Sequence, residues 1–175
     1  MSNYTRAFQE GHDYFFTIVT HKRNPILVQN SDLLKQSFKH SKQIFKYEIK
    51  AIVILPDHIH MIITPKDVTE YPKIIKTIKQ YFSKHINPKY YAHITQSKSR
   101  TEKGYKPIWQ KRYYEHTIRD EKDFKIRFDY IHFNPVKHKF VTKVRDWEHS
   151  SFHKFVKLKI YDKDWGNFNE NIDFE

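Results

Sequence analysis

The chain has 175 residues, enough to bury a proper core as one domain spanning 1–175, and an aromatic content of 17% supplies bulky material for it. It has no cysteine, which excludes disulfides and cysteine-ligated zinc or iron–sulfur sites, and no run approaches the ~20 apolar residues of a membrane span. The formal charge of +12, from 32 Lys or Arg against 20 Asp or Glu, points to a polyanionic partner such as nucleic acid.

Taken in order, residues 1–13 read as a polar, extended arm carrying Arg6 and His12, without the apolar centre of a secretory signal. The core is expected from about residue 12 to 150. Tyr14 to Thr20 is a continuous apolar and β-branched run, expected as a buried first strand, ended by Asn24-Pro25. From Ser31, Leu34, Phe38 and Phe45 recur near helical spacing, predicting a helix to about Lys46. Tyr47, Ile49, Ala51, Val53 and Leu55 then alternate with Glu48 and Lys50, as one face of a strand does. Pro56-Asp57 breaks the chain, and His58 to Thr64 is predicted as the hairpin partner. Pro72 suits a first helical position, and Ile75, Ile78, Phe82 and Ile86 give that helix its buried stripe before Pro88. Residues 88–107 are polar and basic and read as a flexible loop, and Trp109 to Ile118 as a fourth strand.

A last helix opens at Asp120, a capping residue, with Glu121 and Asp123 at the positive end of the dipole. Phe124, Phe128 and Ile131 form its apolar stripe, with Arg127, Tyr130 and Asn134 on the adjoining face; Pro135 is expected to end it near Asn134. The remainder, 151–175, reads as an irregular, aromatic tail. The tally is α+β: a ferredoxin-like (RRM-like) βαββαβ sandwich with an antiparallel sheet and one appended C-terminal helix.

Two constellations carry chemistry. In Leu55-Pro56-Asp57-His58-Ile59-His60-Met61, a strand would put His58 and His60 on one face, about 7 Å apart at the backbone, where two neutral imidazoles can converge on a divalent cation. In Asp129-Tyr130-Ile131-His132-Phe133-Asn134-Pro135, a phenol and an amide lie one helical turn apart, offering a nucleophile and a third ligand. Each alone has a plainer reading, half-exposed strand histidines and a packed helix tyrosine with its hydroxyl in water. Together they can complete one site.

Those residues resemble a known family. Leu-Pro-Asp-His-Ile-His-Met is similar to the paired-histidine HUH motif of single-strand endonucleases. Tyr-Ile-His-Phe-Asn-Pro-Val-Lys resembles the nucleophile helix of REP-associated tyrosine transposases and, more distantly, of small single-tyrosine insertion-sequence transposases. Trp109-Gln110, Tyr114-Glu115-His116 and Ile118-Arg119 look like that family's stretch before the helix, and Asp146-Trp147 with Ser150-Ser151-Phe152-His153 like its C-terminal signature. The resemblance implies Mg²⁺ or Mn²⁺ held by His58, His60 and Asn134, with Tyr130 as nucleophile on single-stranded or hairpin DNA through a 5′-phosphotyrosine. Asparagine stands where glutamine is usual in the insertion-sequence relatives, and Lys139 where glycine is common. The family contains monomers and homodimers, and both stay open here. It implies a cytoplasmic, nucleoid-associated protein of prokaryotic type.

The charge is uneven. Residues 161–175 carry five acids and one lysine, leaving about +16 on the rest, and between Tyr71 and Thr101 there are seven Lys or Arg and no acid. DNA contacts are therefore expected from Lys73, Lys76, Lys79, Lys84, Arg100, Lys106, Lys111 and Arg112, with Tyr90 and Tyr91 as stacking faces and Arg6 and Arg127 as further cations. The alternative is a catalytically silent nucleic-acid-binding module on the same topology, which would need the cations and rings but neither metal nor Tyr130.

Overall fold

The structure, a computed structural model, describes residues 11–168, 170 and 172. Arg6 lies outside the described residues. Four strands, β1 (Tyr14–Val19), β2 (Tyr47–Ile54), β3 (His58–Pro65) and β4 (Tyr114–Thr117), form one antiparallel sheet in the order β2-β3-β1-β4. With α1 (Ser31–Ile44) between β1 and β2 and α2 (Tyr71–His85) between β3 and β4, this is the expected ferredoxin-like sandwich.

Strand alternation divides the interior into two cores. Tyr14, Phe16 and Ile18 of β1 with Ile59, Met61 and Ile63 of β3 face α1 and α2. Phe15 and Ile62 face the other way, onto Phe128, Ile131 and Phe133 of α4 (Glu121–Lys137). Being central, β3 is buried on both faces, which suits the consecutive Met61, Ile62 and Ile63. In β2 the ladder slips between Ile49, opposite Ile63, and Ala51, opposite Ile62. This bulge at Lys50 reverses the strand's faces. Tyr47 and Ile49 therefore pack with α1 and α2, while Ala51 and Val53 lie beneath α4, not on one face as simple alternation predicts.

Four boundaries differ from the sequence reading. The fourth strand is only Tyr114–Thr117. Trp109 makes an isolated bridge to Thr20 and packs on Phe82, and the exposed Lys111 and Arg112 interrupt the ladder. The segment 88–107 is partly ordered: Asn87 caps a short turn at Pro88–Tyr90, and α3 (Lys98–Glu102) follows. Pro135 lies inside α4. The helix runs to Lys137 because His138 N–H still donates to Asn134 O and the turn closes with Phe140 N–H to Pro135 O and Lys139 N–H to Val136 O, with Lys139 at φ 61. Finally, the tail is not wholly irregular. α5 (Phe152–Lys157) inserts Phe152 and Phe155 into the second core, together with Tyr161.

Candidate active site

Asp120 fixes where α4 begins, accepting a hydrogen bond from Asp123 N–H at 2.8 Å. From that start, Tyr130, Asn134 and His138 follow at i, i+4 and i+8 and share one face. That face lies along β3. The Tyr130 ring is 5.2 Å from His60 and the His138 ring 5.2 Å from His58, with Asn134 on the stripe between them. The two strand histidines are themselves 4.8 Å apart, ring to ring, and each is only 4% exposed.

Both imidazoles are held through Nδ1. His58 Nδ1 is 2.6 Å from Asp57 Oδ1, and His60 Nδ1 is 2.8 Å from Thr17 Oγ1. Each therefore keeps Nε2 for another partner, the arrangement that orients metal-binding histidines. Burial works against charge on Asp57, yet its hydrogen bonds with His58 and Arg23 outweigh this and hold it below the usual carboxylate range. Burial, reinforced by the neighbouring His58, His138 and Lys137, pushes His60 well below the ordinary imidazole value, so its ring is neutral.

Asn134 is fully buried, and neither its amide oxygen nor its amide nitrogen has a hydrogen-bond partner. Buried polar groups are nearly always paired, so an orphaned amide on the helix face that meets the two strand histidines fits a ligand role. Among the described residues, no three His, Cys, Asp or Glu side chains form a metal-binding group. A cation here would need this amide to complete the set.

The nucleophile candidate is half-buried. Tyr130 packs edge-on to Phe15 at 6.1 Å, and the Lys137 ammonium lies 4.6 Å from its ring centre. Behind α4, His132 approaches Tyr161 Oη at 3.2 Å and Ser151 Oγ at 2.8 Å, and Ser151 Oγ donates to Ile52 O of β2. Tyr161 in turn donates to the buried Asp129 at 2.5 Å. Ile54 N–H to His149 O and Ser151 N–H to Ile52 O strap the same segment to the edge of β2. The helix carrying Tyr130 is thus pinned from behind by residues of the C-terminal segment. Thr17, Lys137, His138 and this network were not singled out from the sequence; only the spacing of Lys137 and His138 on the helix could have suggested them.

The proposed DNA contacts fall into separate places. Lys73, Lys76, Lys79, Lys84, Arg100, Lys106 and Lys111 line a groove of about 870 Å³ between α2 and the 99–113 segment, with Tyr105, Trp109 and Tyr113. It lies on the α2 side of the sheet, opposite Tyr130. Lys79 Nζ donates to Gln110 O at 2.7 Å, and burial, then the charge of Arg100, pulls its pKa down to about 8. Tyr90 and Tyr91 pack half-buried against the first core, with the Lys89 and Lys106 ammonium groups over their rings. Arg112 is exposed outside the groove. Arg127 sits on the other face, its guanidinium 5.5 Å from the Phe15 ring centre and 3.5 Å from Asp123. No helix is long and apolar enough to cross a membrane among the described residues.

Comparison with known proteins gives the family of the chain. Residues 9–134 match the family model described as "Transposase IS200 like". The chain is 41% identical over 169 residues to the "Putative REP-associated tyrosine transposase" of Haemophilus influenzae, covering 95% of this chain and 94% of that protein. It is 34% identical to the REP-associated tyrosine transposase of Escherichia coli, covering 94% and 91%. A solved structure of a REP-associated tyrosine transposase bound to a REP hairpin superposes with a TM-score of 0.77 at 32% identity, covering 98% of this chain and 95% of that one. On the family model and on relatives at 41% and 34% identity, the chain belongs to the IS200-like transposase family, in its REP-associated tyrosine transposase branch.

Proposed function

We propose that this protein nicks and joins single-stranded DNA at a hairpin, with Tyr130 as nucleophile and a divalent cation, Mg²⁺ or Mn²⁺, held by His58, His60 and Asn134. One observation carries the reading: the Tyr130 ring lies 5.2 Å from His60 and His60 4.8 Å from His58, and the same helix face carries the buried, unpaired amide of Asn134. The hairpin-bound structural neighbour supports a hairpin as the DNA partner.

The Tyr130 oxygen forms a bond to phosphorus as the bond from phosphorus to the 3′ oxygen breaks. The phenol gives up its proton, and the departing oxygen takes one up to become a 3′-OH. One phosphodiester replaces another, so a 3′-OH can reverse the step and join strands. A free phenol, with pKa near 10, is a weak nucleophile at neutral pH. Lys137, beside the ring, favours negative charge as it develops on the phenol. Phe15 and His60 hold the ring against rotation. A bound cation would supply Lewis-acid polarisation of the scissile phosphate.

The test incubates the protein with labelled single-stranded hairpin oligonucleotides and Mg²⁺ or Mn²⁺. A denaturant-resistant protein–DNA adduct is expected, absent from Tyr130→Phe and abolished by EDTA. Tight binding without an adduct across a broad oligonucleotide panel would overturn the reading in favour of a silent binding module.

A further inference from the structure

A nucleophile on DNA must be presented with one phosphate and not its neighbours, and neither the cation pocket nor the distant groove can set that choice alone. The sheet face beside Tyr130 carries a residue suited to it. Tyr114 is 54% exposed, although it stands on a strand whose other face is packed. It lies opposite Thr17, which lies opposite His60, so all three occupy one cross-strand row on the catalytic face. Two strand spacings, about 10 Å, separate Tyr114 from His60 along that row.

Phe15 ties this ring to the chemistry. It meets Tyr114 edge-on at 6.2 Å, stacks on His60 at 5.6 Å and 18°, and meets Tyr130 edge-on at 6.1 Å. Tyr114 thus stands in a fixed relation to the nucleophile. α4 packs over β2 and β3, leaving the Tyr114 ring open to solvent. Arg127, on the Tyr130 side of Phe15, adds a cation there.

The edge strand also joins the two basic regions. Tyr113 lines the groove, and Tyr114, the next residue, faces the catalytic side. Lys111 and Arg112 are exposed where β4 begins. A polyanion held by lysines in the groove can pass over this edge and arrive on Tyr114 before it reaches Tyr130. An unpaired base offers a flat face for such a ring, and its phosphate offers charge for Arg127.

We propose that Tyr114 stacks the base of the nucleotide neighbouring the scissile phosphate, so that β4 sets which phosphate meets Tyr130. This rests on the reading of Tyr130 as a nucleophile on single-stranded DNA. The experiment places 2-aminopurine in turn at each single-stranded position flanking a DNA hairpin and measures fluorescence and affinity with the wild type, Tyr114→Phe and Tyr114→Ala. Quenching by the wild type and Tyr114→Phe is expected at one position beside the mapped cleavage site. Tyr114→Ala should lose that signal and weaken binding roughly 5- to 150-fold, the value of one stacked base, with no further loss when that nucleotide is abasic. Unchanged quenching in Tyr114→Ala, or an equal loss of affinity whichever nucleotide is abasic, would overturn the proposal. Because the readout is binding, the two readings fail separately. Quenching without an adduct rejects the nucleophile, whereas adduct formation that is indifferent to Tyr114→Ala rejects only the stacking role.

Discussion

Asn134 is a residue that folding alone would not retain. Its amide is fully buried and unpaired, and an unsatisfied buried polar group costs about 1–3 kcal/mol. Asn134→Leu, of similar size, should therefore hold or raise the thermal midpoint while reducing adduct formation roughly 10- to 100-fold. A residue that mattered only for packing would lower both. This side chain, with His58, His60 and Tyr130, was legible in the sequence because each pair is placed by local periodicity, two along a strand and four along a helix. Thr17 was not. It fixes His60 by a hydrogen bond between strands 43 residues apart, and nothing local distinguishes it from other threonines.

At the level of elements, α4 is held on two sides, by its pocket and by the C-terminal segment. The sequence suggested the helix and its cap but not what backs it. Phe152, Phe155 and Tyr161 are too few and too widely spaced to show a helical stripe, and their role emerges only against Phe128 and His132. The same reasoning explains the short β4: the apolar residues after Trp109 fit a longer strand, but Trp109 is drawn into the first core by Phe82. The backing makes a prediction about acid. Burial lowers His132 from 6.5 to about 3, so the unfolded chain takes up a proton at this residue over a range in which the folded chain does not. Stability from this group is complete above pH 6.5 and is lost as pH falls towards 3, by on the order of 5 kcal/mol at most. In His132→Phe, the pH dependence of denaturant unfolding between those limits should flatten, while a wild-type slope would place the acid sensitivity elsewhere.

For the molecule as a whole, the lysine-lined groove and the face carrying Tyr130 lie on opposite sides of one sheet. The lysines were readable as a surplus of positive charge, but their distribution was not, because a helix repeat does not reveal which partner its outer face meets. Tyr90 and Tyr91 show the limit. They look like stacking residues by composition, yet they pack on the core beneath Lys89 and Lys106. Lys79 gives the groove a measurable signature. With its pKa near 8, it carries charge at pH 7 and loses it by pH 9. Hairpin-oligonucleotide affinity should fall over that interval in the wild type and stay flatter in Lys79→Met. At pH 7 that variant's slope of log affinity against log salt should be shallower by about one. Equal slopes would mean that this lysine touches no phosphate.

The slip in β2 has a consequence for how the chain tolerates a change in length. Removing a residue from a strand normally turns every side chain beyond it inside out. At Lys50 the surplus residue already does this, since Ile49 and Ala51 face opposite cores and oppose consecutive residues of β3. A chain lacking Lys50 would restore an ordinary ladder with Tyr47, Ile49, Ala51 and Val53 each still in its own core. Such a shortened protein should fold, with stability within roughly 1 kcal/mol of the parent, whereas omission of Ile52 should not. Melting curves of the two deletions would decide it.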